Sequence, residues 1–254
     1  SMYTHDVSGT DDTAENNTAY GFAAMDAITT GDSNVAIGKS AGTALSTGGS
    51  NILIGKDAGD SLTGGARNVA IGTDALQSED DYGRNVAIGY EALFTQDSDS
   101  DAYNVAIGYN AGLSVSTGKY NTLVGGVAGD LLTTGDYNVA LGYNALGSED
   151  VYGYNVAIGA FSLLSQNAAD NAFNVAVGYA TGQNITTGVR NVIMGGSAGD
   201  GLTIDANNVA IGYNSLSHYG AGSRNVAVGY NTLSVQQTAF ADATCDTTSF
   251  FFFF

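Results

Sequence analysis

The chain alternates in short bursts. In Val35-Ala36-Ile37 a β-branched residue, an Ala and a β-branched residue follow one another, bracketed by Asn34 and Gly38. The same pattern of Asn, β-branched, Ala, apolar and Gly returns with its Asn at 17, 34, 51, 68, 85, 104, 121, 138, 155, 174, 191, 208 and 225. Alternation with period two predicts a brief strand with side chains on two faces, and helical periodicity is missing. The third position is nearly always Ala. The expectation is therefore that the bulky Val/Ile face is core, and that the Ala face meets something with room for only a methyl group.

From Asn34 the intervals run 17, 17, 17, 19 and then repeat, so each super-repeat spans 17 + 17 + 17 + 19 = 70 residues and opens at Asn34, Asn104 or Asn174. Propellers and stacked helix pairs repeat every ~34 to 50 residues and fit poorly. The pattern predicts an all-β chain: a parallel β-solenoid or β-roll of about 13 coils of 17–19 residues in three 70-residue super-repeats. Residues 1–16 read as an N-terminal segment with a Ser-Met cloning remnant, 17–235 as the repeat domain and 236–254 as a non-repeat tail.

Two positions do not vary. Stacked Asn amides at Asn34, Asn51, Asn68, Asn85, Asn104, Asn121, Asn138, Asn155, Asn174, Asn191, Asn208 and Asn225 are expected to hydrogen-bond from coil to coil as an internal ladder. Gly38, Gly55, Gly72, Gly89, Gly108, Gly125, Gly142, Gly159, Gly178, Gly195, Gly212 and Gly229 read as corners whose backbone angles other residues resist.

Other positions vary with a period of their own. Leu53, Leu123 and Ile193 replace the third-position Ala in the second coil of each super-repeat. Counting the Asn as position 1, the first two coils of a super-repeat carry an apolar residue at position 12, such as Leu45 and Leu62. The other two carry Leu at position 9: Leu76, Leu93, Leu146, Leu163, Leu216 and Leu233. These Leu are a candidate second apolar stripe, which predicts a subunit interface. Thr-Gly pairs such as Thr47-Gly48 read as returning turns.

Composition narrows the function. The net charge of −18 with only seven Lys and Arg argues against nucleic acid and anionic membranes. It is compatible with divalent cations. No Pro is present, and only 13% of residues are charged, about half the usual share, which suits regular stacked β structure. Lone Cys245 excludes an intrachain disulfide, and His5 and His218 have no repeating partner. The Gly-rich "GGVAGD" and "GGSAGD" lack the Lys-Ser/Thr of a phosphate loop.

Two surfaces remain as candidates. Asp97, Asp99 and Asp101 fill the longer fourth-coil turn and are candidate Ca²⁺ ligands, though neither the EF-hand spacing nor the calcium β-roll repeat is present. "SEDDYG" and "SEDVYG" occupy equivalent loops and read by default as solvated charge. Tyr90, Tyr109, Tyr143, Tyr179, Tyr213 and Tyr230 follow the corner Gly. Tyr103, Tyr120, Tyr137 and Tyr154, with Phe173, precede the Asn. Aligned into stripes, such rings are candidates to hold a sugar chain by stacking and hydrogen bonds, or simply to cover the coil corners. Phe250–Phe254 leave the repeat, and three readings stand open for them: docking on the open solenoid end, capping an oligomer, or an artefact of cloning or of the reading frame.

The stretch "NVAIGYNAGLSVSTGKYN" (Asn104–Asn121) resembles the N-x-A-I-G-Y repeat region of phage tail fibres, and is similar to the related β-roll heads of trimeric autotransporter adhesins. The resemblance runs from Asn17 to about Val235. It implies a homotrimer without enzymatic activity that recognises a host cell-surface glycan or protein. The implied place is a virion tail fibre or, alternatively, a bacterial cell surface. The chain departs from these groups in showing no chaperone domain, stalk or anchor among its 254 residues, and its coil length leans toward the fibres. A monomeric ice-binding solenoid would need Thr in every coil, and here Thr recurs only at turns. Glycan hydrolysis would need paired carboxylates across a groove, which sequence does not place.

Overall fold

A computed structural model describes residues 14–217, 222–234 and the Phe250–Phe251 backbone. His5, His218, Cys245 and Phe252–Phe254 lie outside the described residues. The chain divides into two compact units, Ser1–Thr134 and Gly135–Phe254. Each is a parallel β-solenoid.

In the first unit the Asn-to-Gly motifs form β1 (Thr18–Tyr20), β2 (Val35–Ile37), β3 (Ile52–Ile54), β4 (Val69–Ile71), β5 (Val86–Ile88), β6 (Val105–Ile107) and β7 (Thr122–Val124). In the second they form β8 (Val139–Leu141), β9 (Val156–Ile158), β10 (Val175–Val177), β11 (Val192–Met194), β12 (Val209–Ile211), β13 (Val226–Val228) and β14 (Phe250–Phe251). Within each unit every strand pairs in parallel with the next, in the register the repeat predicts: Val35 with Ile52, Ala36 with Leu53, Ile37 with Ile54. The start of the Phe run supplies β14, which pairs with β13 through Val226–Phe250 and Ala227–Phe251.

The strands are only three residues long, so most of the coil-to-coil bonding lies outside them. Gly42 N–H donates to Ala58 O at 2.9 Å, and Ser50 N–H to Asp32 O at 2.8 Å. The Asn side chains join this mesh. The Asn51 backbone N–H donates to Asn34 Oδ1 of the preceding coil at 2.9 Å, and Asn51 Nδ2 donates to Gly65 O in the returning turn of its own coil at 2.9 Å. The ladder thus runs chiefly from side chain to backbone. Direct amide contacts supplement it in some coils, as from Asn208 Nδ2 to Asn191 Oδ1 at 3.1 Å. At the corners, a Cβ on Gly55 (φ +142°) would lie 2.2 Å from Gly72 O, so no side chain fits there.

The two strand faces are reversed from the sequence expectation. Ala36, Ala70, Ala87, Ala106, Ala140 and Ala157 are wholly buried. Ile37, Ile52, Ile107, Val192 and Ile211 are exposed, at 37–40%. The core is therefore the Ala face. The interior is filled from the opposite side by the small residue at position 8 (Ala, Ser or Thr) and by the position-9 or position-12 residue. Position 3 is inward in every coil, and holds Leu53, Leu123 or Ile193 in place of Ala once per super-repeat.

The candidate stripe of position-9 Leu is corrected as well. Leu76, Leu93, Leu146, Leu163 and Leu216 are fully buried in their own coils and form no outward face. Their shift relative to Leu45 and Leu62 is a volume exchange. Where position 9 is Leu76, Leu93, Leu146 or Leu163, position 12 is Glu or Gln; where position 9 is Gly, position 12 is a buried Leu, Val or Ile. Leu53 completes the scheme. Cβ atoms on Gly42 and Gly59 would approach its Cδ atoms to 2.6 and 2.8 Å, so its larger side chain fills the space those glycines leave.

Leu53→Ala is expected to cost about 2–5 kcal/mol by opening a cavity. Gly59→Ala, with its φ of +56° and its clash, should cost about 1–3 kcal/mol. In urea unfolding the double variant should lose less than the sum of the two, because the new methyl enters the space Leu53 vacates. Strict additivity would show that the two residues do not share that volume.

Candidate functional site

The acidic turn residues are distributed rather than gathered. Asp99 pairs with Lys119 at 2.6 Å, which holds its carboxyl below the ordinary range. Asp101 pairs with Arg84. Asp97 lies apart from both, with Glu79 and Asp80, one oxygen from each within 4.8 Å of the others. The expected ligand set of Asp97, Asp99 and Asp101 is therefore not assembled, because two of its members are engaged by cations from adjacent coils. Glu79, Asp80 and Asp97 are the one such group of carboxylates among the described residues.

Glu79 and its equivalent Glu149 were read as solvated and are in fact wholly buried. Burial pushes both carboxyls up to about 7, only partly offset by the amides of Tyr82 and Tyr152. The signal was present in the register: both occupy position 12, where neighbouring coils place Leu45, Leu62 and Ile185. The fourth coils place Gln96 and Gln166 there, also buried, each accepting from the ladder Asn of the next coil at 2.7 Å.

The tyrosines after the corner Gly are exposed, from 43% at Tyr90 to 73% at Tyr230, but they do not form one stripe. Tyr90 stacks on Tyr109 with centroids 5.4 Å apart, and Tyr213 on Tyr230 at 5.7 Å. Tyr143 and Tyr179 are bridged edge-on by Phe161. Gly126 and Gly196 occupy the same column and interrupt it. A second column precedes the Asn. In the first unit Arg84 lies over Tyr103, which stacks on Tyr120 at 5.6 Å. In the second unit Tyr137, Tyr154 and Phe173 stack at 5.1 and 5.0 Å.

The geometry decides what these rings can do. In the stacked pairs the planes diverge by only 9–27°, and each ring covers its neighbour's face. With centroids only 5.0–5.7 Å apart, the two facing surfaces of a stacked pair are used by one another. Outward-facing edges and hydroxyls remain, repeated at the coil pitch of about 4.8 Å. Sugar stacking on the ring faces outside these pairs and hydrogen bonding to the edges both remain expected modes.

No protein-family model matches the chain, and comparison with curated proteins and with solved structures gives no match either.

Tyr109→Ala removes one ring pair and should cost about 0.5–1.5 kcal/mol; Tyr154→Ala removes two and should cost roughly double. Equal losses in thermal unfolding would show that the ladder contributes nothing beyond its buried area.

Proposed function

We propose that this chain is a structural, receptor-binding segment of a phage tail fibre, non-enzymatic and trimeric, that recognises a polysaccharide or other molecule of a host cell surface. The observation that carries the proposal is the outward row of Val and Ile on the strands. A regular solenoid with its small residues inside and its β-branched residues outside leaves an apolar strip along the sheet, and such a strip calls for a partner surface. Three copies related by an axis along the solenoid bury three such strips against one another. The tyrosine edges and the longer fourth-coil turns stay on the outside, repeated and available for weak contacts that add through avidity. Resemblance of the repeat to tail-fibre sequences supports the same reading.

The alternative is the head of a bacterial surface adhesin, built the same way and displayed on a cell instead of a virion. Gene context separates the two: a C-terminal chaperone domain marks the fibre, a translocating barrel the adhesin.

The first test is the solution mass of the full chain by light scattering, alone and with Ile37→Glu and Ile107→Glu. The expected result is three chains for the wild type and one for the double variant, with unchanged far-UV circular dichroism. A wild-type monomer at micromolar concentration would sink the trimeric reading. Failure of a trimer to bind any preparation of cell-surface polysaccharide would instead remove the recognition role.

A further inference from the structure

Several polar residues are wholly buried in the core. Position 12 holds a buried aliphatic residue in the first and second coils of a super-repeat and a buried Gln in the fourth. In the second unit Gln166 shows how a neutral polar residue is accommodated: its Oε1 accepts from Asn174 Nδ2 at 2.7 Å, and its Nε2 donates to Thr186 O at 3.0 Å. Glu149 stands one coil earlier in the same column. Its Oε1 accepts from the Tyr152 N–H at 3.3 Å. Its Oε2 is buried with no hydrogen-bond partner, and so is the Nδ2 of Asn155, the ladder Asn that follows it. In the equivalent turn of the first unit, the matching atoms of Glu79 and Asn85 lie 3.5 Å apart.

The surroundings suit a carboxylic acid better than a carboxylate. Among the described residues, none of the groups that chiefly act on Glu149 is a cation. The charged group acting on it is Asp150 in its own turn, which disfavours a second negative charge. From the next coil it faces the Ala168 amide, and Asn167 stands where the first unit has Asp97. A protonated Glu has the shape of Gln, and Gln is what the adjoining coil uses.

We propose that Glu149 is a proton-operated latch on the turn 148–153: neutral, it stays in the core as a Gln-like member of the column and holds the turn closed; ionised, it favours leaving the core, and the turn opens. The turn carries exposed Val151 and leads into Tyr154, the middle ring of the Tyr137–Tyr154–Phe173 stack. Opening therefore alters the outer surface where the ladder lies. The direction follows from linkage. A carboxyl that binds its proton more tightly when closed contributes stability that is full below its free value near 4.5, is lost as pH rises and is gone above about 7.

The test is amide hydrogen–deuterium exchange of the full chain, with and without Glu149→Gln, from pH 5 to 8.5 in chelator, read in peptides covering 148–154. After correction for intrinsic exchange, the wild-type opening constant should rise by about tenfold per pH unit up to about pH 7 and then level off. The Gln variant should stay flat. A flat wild type, or a Gln variant with the same pH response, overturns the proposal. Should the variant fail to fold, the carboxyl ¹³C titration of Glu149 in the wild type decides: a midpoint near 7 supports the latch, and one near 4.5 overturns it. Repeating the exchange with calcium chloride distinguishes the proton from a cation. An unchanged response supports the latch, and its abolition by calcium overturns it.

Discussion

Each coil must sit squarely on the one before it, and the bond from the Asn side chain to the next Asn's backbone is what holds that alignment. Oδ1 accepts the N–H that opens the next coil's strand, while Nδ2 reaches across to the returning turn of its own coil, as in Asn34 to Gly48 O at 2.9 Å. One buried side chain thereby ties a strand to a turn and one coil to the next. Being wholly buried, the amide must satisfy both groups or lose the cost of burying them. Register follows, and with it the alignment of every other column.

Alignment makes volume the second constraint. The coils stack with no room at the corners for a Cβ, and the inward strand position holds Ala except where glycines opposite leave space for Leu53, Leu123 or Ile193. Within that limit the protein exchanges bulk between positions. Gly59 with Leu62 gives way to Leu76 with Glu79, and Leu53 occupies what Gly42 and Gly59 leave empty. The polar residues that enter through this exchange, Glu79, Gln96, Glu149 and Gln166, all lie beside the Asn ladder, where hydrogen-bonding groups already exist. Protonation of the two Glu is the remaining means of avoiding a buried charge.

The outer surface is what these constraints leave over. The Val and Ile at positions 2 and 4 face outward, which gives the sheet its apolar strip. Tyrosine, Arg and Lys at the corners stack or pair from one coil to the next, so that Arg84 covers Tyr103 and reaches Asp101. The proposed association through the strip and the proposed recognition through the tyrosines do not compete, since the two features lie at different positions of the coil.

The sequence alone determined the architecture: the Asn and Gly positions, the 17- and 19-residue intervals and the strand register are all consequences of stacking, and stacking leaves a period that can be counted. It also contained the position of the buried Glu, legible once position 12 was read as a single column. Alternation by itself says that a strand has two faces, but not which one is inside. That depended on the thickness of the coil, which no local pattern encodes, and the structure placed Ala within and Val/Ile without. The grouping of Asp97 with Glu79 and not with Asp99, and the breaks in the tyrosine column, were likewise settled by neighbours 17 to 20 residues away. Side chains far apart in the chain meet only once the coil closes, and their spacing across the coil is set by the narrow core.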